Sequence, residues 1–233
     1  MFTPVVKRLY PVYRLLKVSR ISSRIRMTGR PEDAKFLKAH PVSNADDCKW
    51  IGLERLEYLD PNGTPRQWDS AVRRTRNSGG IDGVGILAIL KSPGAEPEIL
   101  LQKQFRPPVE GVCIEMPAGL IDENESVEVA ALRELKEETG YSGKIVSKTP
   151  IIFNDPGFTN TNLSLVTVEV DTLAPENQNL QTELEENEFI ESFKVPLKSF
   201  ASDMEKLAEQ GYKLDARVQN VAQGIRLAQQ YQL

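Results

Sequence analysis

Eight stretches of this chain, each five to ten residues long, are largely apolar or alternate with polar positions, and three longer ones repeat apolar residues every three or four positions. The first kind predicts strands near Trp50 to Tyr58, Gln67 to Thr75, Gly83 to Lys91, Glu98 to Phe105, Val112 to Met116, Lys144 to Phe153, Asn162 to Val170 and Glu188 to Lys194. The second kind predicts helices after Ser126, from Leu197 to Glu209 and from Asp215 to Gln230. Asp60-Pro61-Asn62-Gly63 is strong turn chemistry, so the first two strands form an antiparallel hairpin, and Asn77-Ser78-Gly79-Gly80 reads as a hinge into the main domain. Between Asp171 and Asn187 the chain is polar and aperiodic, as in a lid or a disordered segment. The pattern gives an α+β chain in three parts: residues 1–30, a hairpin region over 31–78, and the main domain over 79–233.

The helix after Ser126 carries unusual chemistry. Ser126 suits an N-cap, Glu128 the first turn, and Gly140 a left-handed stop. At 3.6 residues per turn, Glu134, Glu137 and Glu138 lie within about 100° of arc, where like charges repel and oppose the helix dipole. A sequence that accepts this cost at one place points to a bound cation, and an oxygen-only donor set favours Mg²⁺ or Mn²⁺ over zinc.

Composition narrows the remaining choices. With 40% hydrophobic and 27% charged residues, the chain has a globular composition, and its longest apolar run, Val84 to Leu90, is too short to span a bilayer. Two cysteines make no disulfide framework, and a single histidine, His40, excludes a histidine cage or a Ser-His-Asp triad. The net charge of −4 hides an asymmetry: residues 1–31 hold eight basic side chains and no acid, and the other 21 basic against 33 acidic side chains give the rest −12. An Arg-rich, acid-free N-terminus with Leu9, Val12, Tyr13 and Leu16 at helical spacing is expected to be a mitochondrial transit peptide, in preference to a nucleic-acid or membrane arm; Met27 offers a shorter start without it.

Gly119, Glu125, Arg133, Glu134, Leu135, Glu137, Glu138, Gly140 and Tyr141 together fit the pattern G-x5-E-x7-R-E-U-x-E-E-x-G-U, with U bulky and apolar, and so resemble the box of the Nudix hydrolases. Pro156, sixteen residues after Gly140, with Gln104 to Pro108 and Glu115 to Gly119, is similar to the ADP-ribose pyrophosphatase branch of that superfamily. The resemblance covers roughly residues 47–230. It implies an α/β/α sandwich with a mixed sheet, and Mg²⁺-dependent cleavage of ADP-ribose to AMP and ribose 5-phosphate. Other nucleoside diphosphate sugars or oxidised nucleotides stay open as substrates, and a nucleotide sensor that does not cut is the reading from another class.

The same resemblance implies roles for single residues. Glu134, Glu138 and the backbone of Ala118 would hold metal, with Glu137 as a further ligand, and Glu188 would be the base. Arg133 would support the carboxylates through an ion pair, and Glu125 would stand behind them. Arg106, stiffened by two prolines, would grip phosphate through its guanidinium fork; Arg73 would reach the ligand from the hairpin, and Leu120 and Asp155 would line the site. If Trp68 pairs near Arg55, the rings of Trp50 and Trp68 lie about 17 Å apart at roughly 3.3 Å per residue, on opposite faces. They cannot then sandwich one base within a chain, and the resemblance implies a homodimer with exchanged hairpins in which each adenine stacks between one tryptophan of each copy. The expected partners are the nucleotide substrate and a second copy, with no nucleic acid and no membrane insertion. For the basic arm, the expected outcome with a C-terminally tagged full-length chain is import and shortening by about thirty residues; an unshortened product confined to the cytosol contradicts it.

Overall fold

A computed structural model describes residues 29–40, 42 and 44–233. Most of the basic arm, with its transit-peptide reading and Met27, lies outside the described residues.

The hairpin consists of β1 (Ile51–Leu59) and β2 (Pro65–Arg73), paired antiparallel as a separate two-stranded sheet. Its register corrects the expected one. Asp60 organises a longer loop: its backbone N–H donates to Thr64 O, its carbonyl accepts from Gly63 N, and its Oδ1 accepts from Asn62 N and Thr64 N. Leu59 therefore pairs with Pro65, and Trp68 faces Leu56 instead of Arg55. A one-residue slip exchanges the faces. The ladder continues past β1, where Arg74 N donates to Trp50 O, so positions 50 and 68 fall on the same face, six positions or about 20 Å apart. Distance, not opposite facing, is what separates the two rings.

The main domain is a mixed sheet of nine strands: β3 (Gly83–Lys91), β4 (Glu98–Arg106), β5 (Gly111–Glu115), β6 (Ala118–Leu120), β7 (Lys144–Lys148), β8 (Ile152–Phe153), β9 (Asn162–Asp171), β10 (Ile190–Pro196) and β11 (Lys213–Leu214). Its main path runs β11-β5-β4-β3-β9-β7; β10 adds to β4, β6 to β3 and β8 to β9. β3 with β9 and β5 with β11 are parallel pairs, and the rest are antiparallel. Side-chain alternation sorts this sheet into two cores. Val84, Ile86, Leu100 and Val166 pack against Ala131 and Leu135 of α1 (Val127–Thr139) on one face. Ile99, Leu101 and Ile114 pack against Phe200 and Met204 of α2 (Phe200–Glu209) and Val218 of α3 (Ala216–Tyr231) on the other. The layers are α/β/α.

Differences from the sequence-based elements have local causes. The expected strand Lys144 to Phe153 is two, because Pro150 has no N–H for the ladder and a bulge falls between Ile145 and Ser147. The expected helix from Leu197 opens as a 3-10 turn and becomes α-helical at Phe200. The polar stretch after Asp171 is tied down in its first half: Asn177, 6% exposed, accepts from Ser142 N and donates to Ser142 O and Asp171 O. The expected hinge is likewise stapled, with Asn77 bonded to Ile121 O and Asp122 O, and Ser78 to Glu123.

Candidate active site

α1 begins and ends as its sequence dictates. Ser126 Oγ accepts from Val129 N at 3.2 Å, and Gly140 takes φ 75° with its N–H on Lys136 O at 2.8 Å. A Cβ at Gly140 would stand 2.8 Å from Gln181 N, so this glycine also admits the segment that leads to Glu188. Glu183 N donates to Glu137 O at 2.7 Å and fastens that segment across the end of α1.

β6 passes beneath the helix and brings Ala118, Gly119 and Leu120 to its carboxylates. The Glu134 carboxylate rests where a Gly119 side chain would be, since a Cβ there would meet Glu134 Oε1 at 1.9 Å. Glu138 is 5% exposed, and its Oε2 accepts both Gln102 Nε2 at 3.0 Å and Ala118 N at 3.1 Å. Among the described residues no hydrogen bond reaches Oε1. Burial pushes the Glu138 carboxyl up to about 8; the charges of Glu134 and Glu188 add to the rise, and the bonds from Gln102 and Ala118 oppose it. Burial also raises Glu134, with Arg133 opposing and Glu137 and Glu188 adding. Glu134, Glu138 and Glu188 thus feel one another across one site.

Arg133 makes the ion pair expected of it with the acids of this region. Its Nε and Nη2 hold Glu125 at 2.8 Å each, while Nη1 reaches Glu134 at 2.8 Å and Glu137 at 3.1 Å. These bonds, led by Glu125, hold the guanidinium well above its ordinary pKa. Among the described residues no three His, Cys, Asp or Glu side chains form a metal-holding set, and Arg133 Nη1 is bonded to both Glu134 and Glu137. The donors still fit a hard cation. They are all oxygens, and among the described residues Glu138 Oε1 accepts no donor and one guanidinium nitrogen is all that bonds the carboxylates of Glu134 and Glu137.

Arg106 and Arg73 differ in their partners. Arg106 spends its fork on Glu115, with Nε and Nη2 each at 2.7 Å from a carboxylate oxygen, so its bidentate face is turned to a protein carboxylate and Nη1 is what remains for a ligand. Arg73 Nε is buried without a hydrogen-bond partner among the described residues. Its charge reaches Asp82, where burial opposes ionisation but the Arg76 fork, at 2.8 Å on both oxygens, holds the carboxyl below its usual value. Arg76 also bonds Asn160 O, and so joins the hairpin's end to the loop after Asp155.

That loop supports the hairpin. Trp68 Nε1 donates to Gly157 O at 3.1 Å, and Ala71 N to Phe158 O at 3.0 Å, while Asp155 O accepts from Phe158 N and Thr159 N. Trp68, Ala71 and Asp155 are thereby linked through one loop. Trp50 is not: it is 55% exposed beneath the Lys49 ammonium at 4.2 Å, and among the described residues no hydrogen bond ties its ring to β6 or α1. Leu120 is half-exposed, and its carbonyl accepts from Arg133 Nη2. Glu188 folds back on its own turn, with Oε2 accepting from Glu185 N at 2.9 Å. Two site residues escaped the sequence reading, Gln102 and Glu115; each is a buried polar residue at the end of an aliphatic run, which was their available signal.

An α/β/α sandwich that sets a carboxylate-bearing helix over a glycine strand, with arginines beside it, defines a class of phosphate-directed domains. The chain belongs to the Nudix family, whose NUDIX domain matches residues 81–217. It is 69% identical over 206 residues to the ADP-ribose pyrophosphatase of Saccharomyces cerevisiae, spanning 88% of this chain and 89% of that protein. It is 36% identical over 171 residues to the ADP-sugar pyrophosphatase of Mus musculus, spanning 73% and 78%. A solved structure described as an ADP compounds hydrolase shares the fold, with a TM-score of 0.52 at 20% identity over 78% of this chain and 89% of that one.

The site's geometry sets two expected outcomes. Gly119→Ala puts a methyl where the Glu134 carboxylate lies; the flexible acid swings away, so the thermal midpoint stays within a few degrees while turnover falls on the order of 100-fold. Differential scanning fluorimetry beside a product assay reads both, and full activity contradicts it. In EDTA, a Glu138 pKa raised in the folded state means the folded chain holds a proton that the unfolded chain has lost. The stability this gives is present below about 4.5, the unfolded value, and is lost as pH rises through about 8. Glu138→Gln should flatten that part of the stability–pH curve; an unchanged slope in urea titrations contradicts it.

Proposed function

We propose that the chain hydrolyses the diphosphate bond of ADP-ribose to AMP and ribose 5-phosphate with Mg²⁺, for which Mn²⁺ can substitute. One observation carries the chemistry: Glu138, buried, keeps Oε1 without a donor beside Glu134 and within the field of Glu188. The choice of substrate rests on the names of the yeast and mouse relatives. The mouse name also favours a second reading, in which other ADP-sugars are cut at the same bond.

In this reading Glu134, Glu138 and the Ala118 carbonyl would hold the ion, with Glu137, now bonded to Arg133 Nη1, as a further ligand. When bound, the ion neutralises diphosphate charge and acidifies a water. The chain's own groups do the rest. Arg106 Nη1 and the Arg73 guanidinium would bind phosphate oxygens and set phosphorus in line for attack. Glu188 leaves its turn and takes the proton from the attacking water. Leu120 and Asp155 line the site. The hairpin exposes Leu56 and both tryptophans on one face and Leu53 and Leu59 on the other, apolar residues that suit contact with a second copy. The homodimer with exchanged hairpins, adenine held between Trp50 of one copy and Trp68 of the other, and mitochondrial import by the basic arm belong to the same proposal.

Purified protein incubated with a panel of nucleoside diphosphate compounds, with and without Mg²⁺, should release AMP fastest from ADP-ribose and nothing in EDTA. Glu188→Gln should lower kcat by about 10²- to 10⁴-fold with little change in KM. Sedimentation at assay concentration should give a dimer. Metal-independent release removes the reading, full turnover by the variant moves the base to another acid, and an active monomer removes the exchanged hairpins.

A further inference from the structure

We propose that Gln102 is a positioning residue for the metal-directed carboxylate: its amide N–H fixes Glu138 Oε2 and thereby presents Oε1 to the site. The inference rests on the reading of Glu138 as a metal ligand.

Gln102 does not belong where it lies by packing alone. Ile99, Leu100 and Leu101, which precede it in β4, are 0% exposed, and Gln102 at 3% is as deep. An amide there costs free energy that a leucine would not, unless it is hydrogen-bonded. Its Nε2 donates to Glu138 Oε2 at 3.0 Å. The terminal torsion of a glutamate is soft, so a carboxylate held by one donor can swivel. Two donors on the same oxygen, Gln102 Nε2 and Ala118 N, stop that motion and leave the other oxygen to the site.

The neighbours extend the argument. In register, Gln102 lies between Ser192 of β10 and Glu115 of β5, so a polar row crosses three strands on the face that carries α1. Glu115 holds the Arg106 fork, and Ser192 Oγ is buried with no partner among the described residues. β4 therefore contributes twice. Through Gln102 it sets the carboxylate, and four residues on, through Arg106, it offers a guanidinium whose charge interacts with Glu138. One rigid strand pair fixes the spacing between the metal-directed and phosphate-directed groups, and loops play no part in it.

The test is Gln102→Met, which keeps volume and removes the donor, titrated with Mn²⁺ and followed by the paramagnetic resonance signal of the free ion. Wild type, Glu138→Gln and Leu100→Val, a core change on the same face of the same strand, run beside it, with thermal unfolding in EDTA for all four. The expected result is Mn²⁺ affinity weakened about 10- to 100-fold in Gln102→Met, kcat lowered comparably and KM within about twofold, at an unfolding midpoint no lower than that of Leu100→Val. If Glu138→Gln loses Mn²⁺ while Gln102→Met binds like wild type, the Gln102 inference fails alone. If Glu138→Gln binds like wild type, the reading of Glu138 as a ligand fails first. If Leu100→Val loses affinity in step with its stability as Gln102→Met does, Gln102 is packing and the inference is overturned.

Discussion

A buried carboxylate without a counter-ion of its own is the constraint around which this fold is arranged. Glu138 sits at the end of α1 where the helix dipole, burial and its acidic neighbours all disfavour its charge. Two N–H groups on a single oxygen offset part of that cost. The rest persists, and it is the kind of deficit that a hard divalent cation removes. β6 exists to serve this arrangement: three residues long, it supplies the Ala118 N–H and, at Gly119, the gap that the Glu134 carboxylate fills.

Arg133 is the second element of the same balance. It anchors to Glu125 through two nitrogens and lends the third to Glu134 and Glu137, so the helix carries an internal counter-ion on its outer acids and none on Glu138. The division gives the acids different roles. Glu134 and Glu137 have a cation in hand, whereas Glu138 Oε1 has no donor among the described residues. Around this centre the hairpin's end, the linker and the loop after Asp155 are bound by the Arg76–Asp82 pair and by Trp68 on Gly157. Arg73, the last residue of β2, keeps a buried Nε–H without a partner among the described residues.

How much of this could be read from the chain depends on the length scale of each signal. Strands with an unbroken apolar run, such as β3, and helices with distinct caps, such as α1 between Ser126 and Gly140, were legible to within a residue or two, because period and punctuation agree there. β6 and β11, three and two residues long, carry no period and were not legible. The hairpin register was missed by one residue, since Asp60 captures Thr64 as well as Asn62 and lengthens the loop. The glutamates of α1 were readable from spacing, but their partners were not. That Arg106 turns its fork to Glu115 is a fact of strand pairing, and that Gln102 holds Glu138 one of helix packing on the sheet, between segments that no local pattern connects.

The central claim is that these carboxylates are built to hold magnesium against a diphosphate. Isothermal titration of Mg²⁺ into the chain loaded with an ADP-ribose analogue whose bridging oxygen is replaced by methylene tests it most directly. The account predicts saturable uptake by the wild-type chain that Glu138→Gln abolishes; absence of any uptake by the wild-type chain with the analogue bound would contradict it.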